Sequence, residues 1–168
     1  DFGTEVTLSS KNKTAGSTTT GNLITDAIKN ATGADIATYP SYGGLNNEAD
    51  DIAAGSGLNE SQLLDFYSGL NYGNKAVVVD ISGADLKQFI LTRCQNFDNI
   101  DLQVSGMNYT LTTDSNGKVT GINCTVNGSP LDEQTTYRVT FNSYQYSSDY
   151  SLDSKVSNAE TTTKTEKE

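Results

Sequence analysis

"SGLNYGNKAVVVDISGADLKQFI", residues 68–90, holds several kinds of local structure in one short run. Asn71, Tyr72, Gly73 and Asn74 read as a turn. Ala76 to Val79 read as the buried part of a strand spanning 75–81. Ser82, Gly83, Ala84 and Asp85 look like a helix start, and Leu86, Phe89 and Ile90 fall at helical spacing, which predicts a helix over 83–94. A large aromatic at the tip of a turn, just ahead of a core strand, is unusual. Tyr72 either covers the end of the core or presents its ring to something outside the chain.

Working outward, the pattern stays mixed. "DFGTEVTLS" is a possible opening strand. In "TTTGNLITDAIKNATG", Leu23, Ile24, Ala27, Ile28 and Ala31 form a helical stripe, with threonine caps before it and Gly33 as a stop signal. "ADIATY" reads as a short strand, followed by a loop over Pro40 to Gly44. "NESQLLDFYSG" reads as a short helix with Asn59 and Gln62 in capping-box spacing. "LQVSGMNYTLTT", the turn "DSNGK" and "VTGINCTV" make a β-hairpin; "NGSPLD" is another turn and "TYRVTFNSY" a last strand. Helices and strands interleave early and strands cluster late, so the fold class is α+β, a mixed β-sheet with packed helices. One domain is expected over residues 1–153. The remainder, 154–168 ("SKVSNAETTTKTEKE"), lacks apolar periodicity and aromatics and reads as a disordered polar tail or linker.

Composition narrows the function. The chain has 168 residues, enough for a real core, with 11 basic against 21 acidic residues and a net charge of -10. Such a field repels polyanions, so nucleic acid and anionic membranes are poor partners. No apolar run approaches the roughly 18 residues of a membrane helix, so no membrane insertion is expected. The chain does not begin with Met and has no basic-then-apolar leader, and so reads as an excised or processed segment. Six glycosylation sequons occur, at Asn12, Asn30, Asn59, Asn108, Asn123 and Asn127, little above the number its Asn, Ser and Thr content gives by chance. Cys94 and Cys124 are either two buried thiols or, in an oxidising compartment, one disulfide.

Absence carries weight in the chemistry. There is no histidine, which removes Ser-His-Asp and Cys-His systems and every histidine-containing metal site. Asp50-Asp51 and Asp132-Glu133 lie in loops without partners at ligand spacing, and "YGG" lacks the Gly-Lys-Ser/Thr of a P-loop. No catalytic residue and no metal ligand is marked.

Five motifs in order carry a resemblance. "TTTGNLITDAIKNATGADIA" resembles the opening of the C-terminal domain of the 5'-nucleotidase/UDP-sugar hydrolase family, with its G-N-L-I-x-D-A helix and following glycine loop. "NYGNKAVVVDISGADLKQFI" resembles that family's F-G-N turn, strand and G-x-x-L-K helix. "LQVSGMNYTL" and "GKVTGINCTVNGSPLDEQTTYRVTFNSY" are similar to its later hairpin and last strand. The likeness spans roughly residues 15–150.

The resemblance implies one domain of a larger protein. Full-length members carry an N-terminal metallophosphoesterase domain with a divalent metal pair, and that domain would be this one's partner. No cofactor is expected here. The C-terminal domain would bind a nucleoside or nucleotide, with the base between two rings. Tyr72 and Tyr144 stand where the family has its stacking phenylalanines, unless they merely close the core. Asn74 matches the Asn of the F-G-N turn, Asp149 approximately the Asp that contacts the sugar hydroxyls, and Gly43 and Gly44 the glycine loop. The family's loop arginine falls on Leu45 or Asn46, and neither Arg93 nor Arg138 matches it. The site would then keep the nucleoside half of recognition and lose the phosphate half. The resemblance implies a secreted or surface nucleotide phosphomonoesterase of nucleotide catabolism, with this segment non-catalytic. The alternatives are a degenerate copy serving as a binding or spacer module at a cell surface, and an unrelated adhesive or carbohydrate-binding domain.

Overall fold

The computed structural model describes residues 2–149 and 152–168. Its elements run β1 (Phe2–Gly3), α1 (Thr19–Thr32), β2 (Ile36–Pro40), β3 (Gly57–Leu58) and α2 (Glu60–Asp65), then a 3₁₀ turn (Ser68–Tyr72) and β4 (Lys75–Ser82). After these come α3 (Gly83–Phe97), β5 (Leu102–Ser105), β6 (Asn108–Thr113), β7 (Val119–Val126), β8 (Ser129–Pro130), β9 (Thr136–Asn142), α4 (Ser143–Ser148) and β10 (Val156–Thr165). The central sheet has the order β10-β4-β9-β2-β5, in which only β2 and β9 run parallel. A second sheet, β6-β7-β8, packs beside α3. The fold is α+β around a mixed sheet.

The local signals act where the sequence places them. Thr18 caps α1 by accepting from the Gly21 N–H, and Gly33 closes it in the left-handed region at φ 69°. Asn59 and Gln62 form a reciprocal capping box. Ser82 accepts from the Asp85 N–H at the start of α3. On one face of the sheet Val77, Val79, Ile81, Val139 and Phe141 pack with Leu86, Phe89, Ile90 and Cys94 of α3, and Phe89 meets Phe141 edge-on at 4.9 Å. On the other face Ala37, Tyr39 and Ala76 pack with Ile24 and Ile28 of α1 and with Phe66, Tyr67 and Leu70. The sheet is thus covered on both faces, which is why β2 is buried throughout.

Five sequence expectations change. "TYRVTFNSY" is neither the last strand nor strand throughout: β9 ends at Asn142, whose side chain caps α4, so Ser143 and Tyr144 are helical. Residues 156–165 of the supposed disordered tail are β10, an antiparallel edge strand on β4. Val156 and four threonines suit a strand, and an outer strand needs no apolar face. The arm 102–113 is two strands in two sheets, broken at Gly106, which takes φ 83° where a Cβ would overlap the Asp35 carbonyl. The turn 127–132 contains β8. Of the opening segment, only Phe2–Gly3 is strand, with an isolated bridge from Leu8 to Ile52; Asp1 lies outside the described residues. Cys94 and Cys124 are buried free thiols.

Gln103 ties the layers together. Its Oε1 accepts from the Thr18 N–H at 2.9 Å, and its Nε2 donates to the carbonyls of Lys13 and Gly16 and to Ser41 Oγ at 3.0–3.1 Å. A Cβ at Gly21 would overlap this amide. Gly21→Ala is therefore expected to destabilise the domain by about 1–3 kcal/mol, overpacking outweighing the gain of about 1 kcal/mol in helix propensity. Urea unfolding measures it; a stabilised variant would mean that the amide relocates freely.

Candidate functional site

Strand directions decide which loops meet. β2 and β9 are parallel, so the loop after Pro40 and the turn after Asn142 leave the sheet at the same end. β4 is antiparallel to β9, with Ala76 opposite Asn142, so the turn before β4 enters at that end too. All six expected site residues lie on these three connections.

Tyr72 ends the 3₁₀ turn and is 76% exposed; Gly73 follows at φ 69°. Tyr144 stands in the first turn of α4, 70% exposed. Rings this open do not close the core, so that alternative for the two tyrosines falls. The turns that carry them touch. Ser143 Oγ accepts from the Lys75 N–H at 3.1 Å and donates to Asn74 Oδ1 at 3.4 Å. Asn142 Oδ1 accepts from the N–H groups of Tyr144 and Gln145 at 3.0 and 3.3 Å, fixing the start of α4. Asp149 is the half-buried C-cap of that helix, and its carbonyl accepts from the Leu152 N–H at 3.0 Å.

The glycine loop joins from the side. Gly69, in the 3₁₀ turn, donates its N–H to the Gly44 carbonyl at 3.0 Å. A Cβ on Gly69 would come within 2.7 Å of the Gly43 carbonyl and 2.9 Å of the Gly44 Cα, so this approach needs glycine. Gly43 is exposed at φ 72° and Gly44 is buried against Tyr39 and Pro40. Lys13 Nζ donates to the Leu45 carbonyl at 2.6 Å, and burial lowers its pKa. Tyr42 stacks on Phe97 with ring centroids 4.2 Å apart.

Neither position aligned with the family's loop arginine faces this site. Leu45 is in the core, and Asn46 donates through Nδ2 to the Asp65 carbonyl at 2.9 Å. Arg93 is bonded to buried Asp101 at 2.8 Å; Arg138 bridges Asp80 at 3.2 Å and Glu160 at 3.3 Å. Among the described residues no three His, Cys, Asp or Glu side chains gather as metal ligands. A groove of about 770 Å³ lies between α1, α2 and the end of β10, and neither Tyr72 nor Tyr144 lines it.

Sequence reasoning missed Asn142, Ser143 and Glu166. Asn142 carries a legible signal, an Asn directly before a polar helical turn. Glu166 carries none, because its place depends on β10.

Comparison with known proteins agrees with the fold. The sequence pattern described as "5'-nucleotidase, C-terminal domain" matches residues 3–152. The Cell wall protein Lmo0130 of Listeria monocytogenes is 30% identical over 134 residues, 75% of this chain but 17% of that protein. The chain thus spans about a sixth of the length of that curated relative. Among solved structures, the 5'-nucleotidase precursor of Thermus thermophilus superposes with a TM-score of 0.62 at 24% identity, over 84% of this chain and 29% of that one. A putative 5'-nucleotidase of Staphylococcus aureus gives 0.64 at 17% identity, over 97% and 35%. At these identities the two structures support the fold alone.

Rings so exposed contribute little to folding. Tyr72→Ala and Tyr144→Ala are each expected to change unfolding free energy by no more than about 0.5 kcal/mol, as surface substitutions do. Denaturant melts test it, and a loss above about 2 kcal/mol would return the rings to a packing role.

Proposed function

This chain belongs to the 5'-nucleotidase C-terminal-domain family, and on that premise we propose that it is the nucleoside-recognition domain of a secreted or surface phosphohydrolase. The base stacks between Tyr72 and Tyr144, Asn74 and Asp149 serve its polar edges and sugar, and Gly43 and Gly44 let the ligand approach the backbone. The observation that carries this reading is the exposure of both rings on two touching turns at one end of the sheet. Stacking on such rings is worth about 1–3 kcal/mol per base and tolerates Tyr for Phe.

The reaction belongs elsewhere in such a protein. A metallophosphoesterase domain would hold the divalent metal pair. The donor set here does not suit a metal, since there is no histidine and no ligand cluster among the described residues. No step is assigned to a metal in this chain. Alone, it is expected to release no phosphate from AMP.

A second reading has its own support. Both arginines are tied to carboxylates inside the chain, and a relative bears a cell-wall name. In that reading the domain is a degenerate copy, a non-catalytic binding or spacer module at a cell surface.

Titration calorimetry with adenosine, AMP and a free sugar separates the two. The first reading expects adenosine and AMP to bind about equally, because no arginine fork gains the 1.5–3 kcal/mol of a charge-assisted phosphate bond. Tyr72→Ala and Tyr144→Ala should each weaken binding by about 1–3 kcal/mol, and Tyr72→Phe should be nearly neutral. AMP binding more than about tenfold tighter would mean that a lysine such as Lys75 has taken over the phosphate. Binding of neither nucleoside nor nucleotide would favour the spacer module.

A further inference from the structure

The two tyrosine-bearing turns are held by a third element that no motif announces. Beyond β10, the Glu166 N–H donates to the Asn74 carbonyl at 2.8 Å. The same residue's carboxylate accepts from Asn142 Nδ2 at 2.8 Å through Oε2. Asn142 in turn spends its Oδ1 on the N–H groups of Tyr144 and Gln145. One residue therefore grips the turn after Tyr72 by its backbone and the helix cap before Tyr144 by its side chain.

We propose that Glu166 is a positioning residue for the tyrosine pair, clamping the Asn74 turn to the start of α4 and so setting the gap between the rings. This rests on the base-stacking reading above. Three observations favour a clamp over an incidental contact. First, Glu166 is half-buried just past β10, a strand whose side chains are mostly exposed. Second, its Oε1 is buried without a partner among the described residues. Among the described residues the Asn142 bond is thus the one hydrogen bond to the carboxylate, and losing it would leave both oxygens without a partner. Third, the side chain of Gln145, beside Tyr144, is buried with both amide atoms unpartnered among the described residues, so it adds no hydrogen bond to those that Asn142 and Ser143 supply at the start of α4.

The surroundings of the carboxylate give a test. Glu166 is faced by Asn74 from the β4 turn, with Lys75 opposite the preceding Thr165, by Asn142 from the β9–α4 junction, and by Tyr39 from β2. Lys164, Lys167 and Glu168 flank it in sequence. Burial holds its carboxyl up at about 7, the Asn142 bond opposing the rise. A second carboxylate placed opposite would repel it above that pH and share a proton with it below.

Three variants of the chain serve: Glu166→Ala, Glu166→Gln and Asn142→Asp. Adenosine affinity is measured at pH 5 and pH 8, together with the aromatic NMR signals of Tyr72 and Tyr144 without ligand. Glu166→Ala should weaken adenosine about tenfold and shift the signals of both tyrosines, as loss of one charge-assisted bond implies. Glu166→Gln keeps an acceptor for Asn142 and should stay within about threefold of the parent at both pH values. Asn142→Asp keeps the helix cap, and should bind about tenfold more weakly at pH 8 while recovering at pH 5. If Glu166→Ala does not fold, the other two variants decide. Tyrosine signals unmoved by Glu166→Ala, Glu166→Gln binding as weakly as a removed bond, or Asn142→Asp without pH dependence would each overturn the clamp. If the parent binds no adenosine, the stacking reading fails. The ligand-free tyrosine signals then judge the clamp by themselves.

Discussion

The antiparallel ladder between β4 and β9 is the constraint on which the other features depend. It runs unbroken from Ala76 opposite Asn142 to Ser82 opposite Thr136. Its inward side chains, Val77, Val79, Val139 and Phe141, are buried beneath α3. A slip of one residue would turn that apolar set toward the opposite face, so burial enforces the register. Because the register is enforced, the residues just before β4 and just after β9 have no freedom to separate. The turn holding Tyr72 and the helix holding Tyr144 are neighbours because valines and a phenylalanine are buried behind them.

The charged residues show why phosphate recognition is the weak half of the site. A guanidinium binds phosphate best as a planar fork with free edges. Arg93 bonds Asp101 through Nε at 2.8 Å, and its guanidinium lies 5.8 Å from the centre of the Phe97 ring. Arg138 joins Asp80 and Glu160 and donates to the Asn158 carbonyl at 2.7 Å. Asp101 is fully buried and desolvation raises its pKa, while Arg93 pulls the other way. Both cationic forks thus serve the chain's own carboxylates. Lys11 and Lys13 are likewise turned onto backbone carbonyls just after the glycine loop, those of Asn47 and Ala49 and that of Leu45.

How much of this was legible in the sequence depends on how local each signal is. Thr18 with Gly21, Gly33, the Asn59–Gln62 box and the Ser82 cap are fixed by neighbours a few residues away, and each was readable. The mixed sheet was readable because buried strands are apolar. The strand at 156–165 was not, since an outer strand of threonine, serine and glutamate has the composition of a tail until β4 offers it a partner. The break at Gly106 was hidden because both arms alternate as one strand would, and only the Asp35 carbonyl requires the glycine. At the candidate site, Tyr72 stood out by its place at the tip of a turn, while Tyr144 and the pairing of the two rings came from the resemblance alone. Asn142 was within reach as a cap, and Glu166 was out of reach because its role is set by a pairing 90 residues away in sequence from Lys75.

The outer side of β10 has a consequence of its own. A ten-residue strand at the rim of a sheet exposes a row of unpaired backbone groups, which another chain could extend into a continuous ribbon. This rim is poorly suited to that. Its register with β4 shifts between Ser157 and Glu160 and again between Thr161 and Thr165, and Asn158 sits at φ 49° between the first pair. Thr162 Oγ1 replaces a backbone acceptor for the Ala76 N–H. The strand is therefore kinked where a copy would need it straight. The irregularity makes the domain's rim a poor template for its own aggregation.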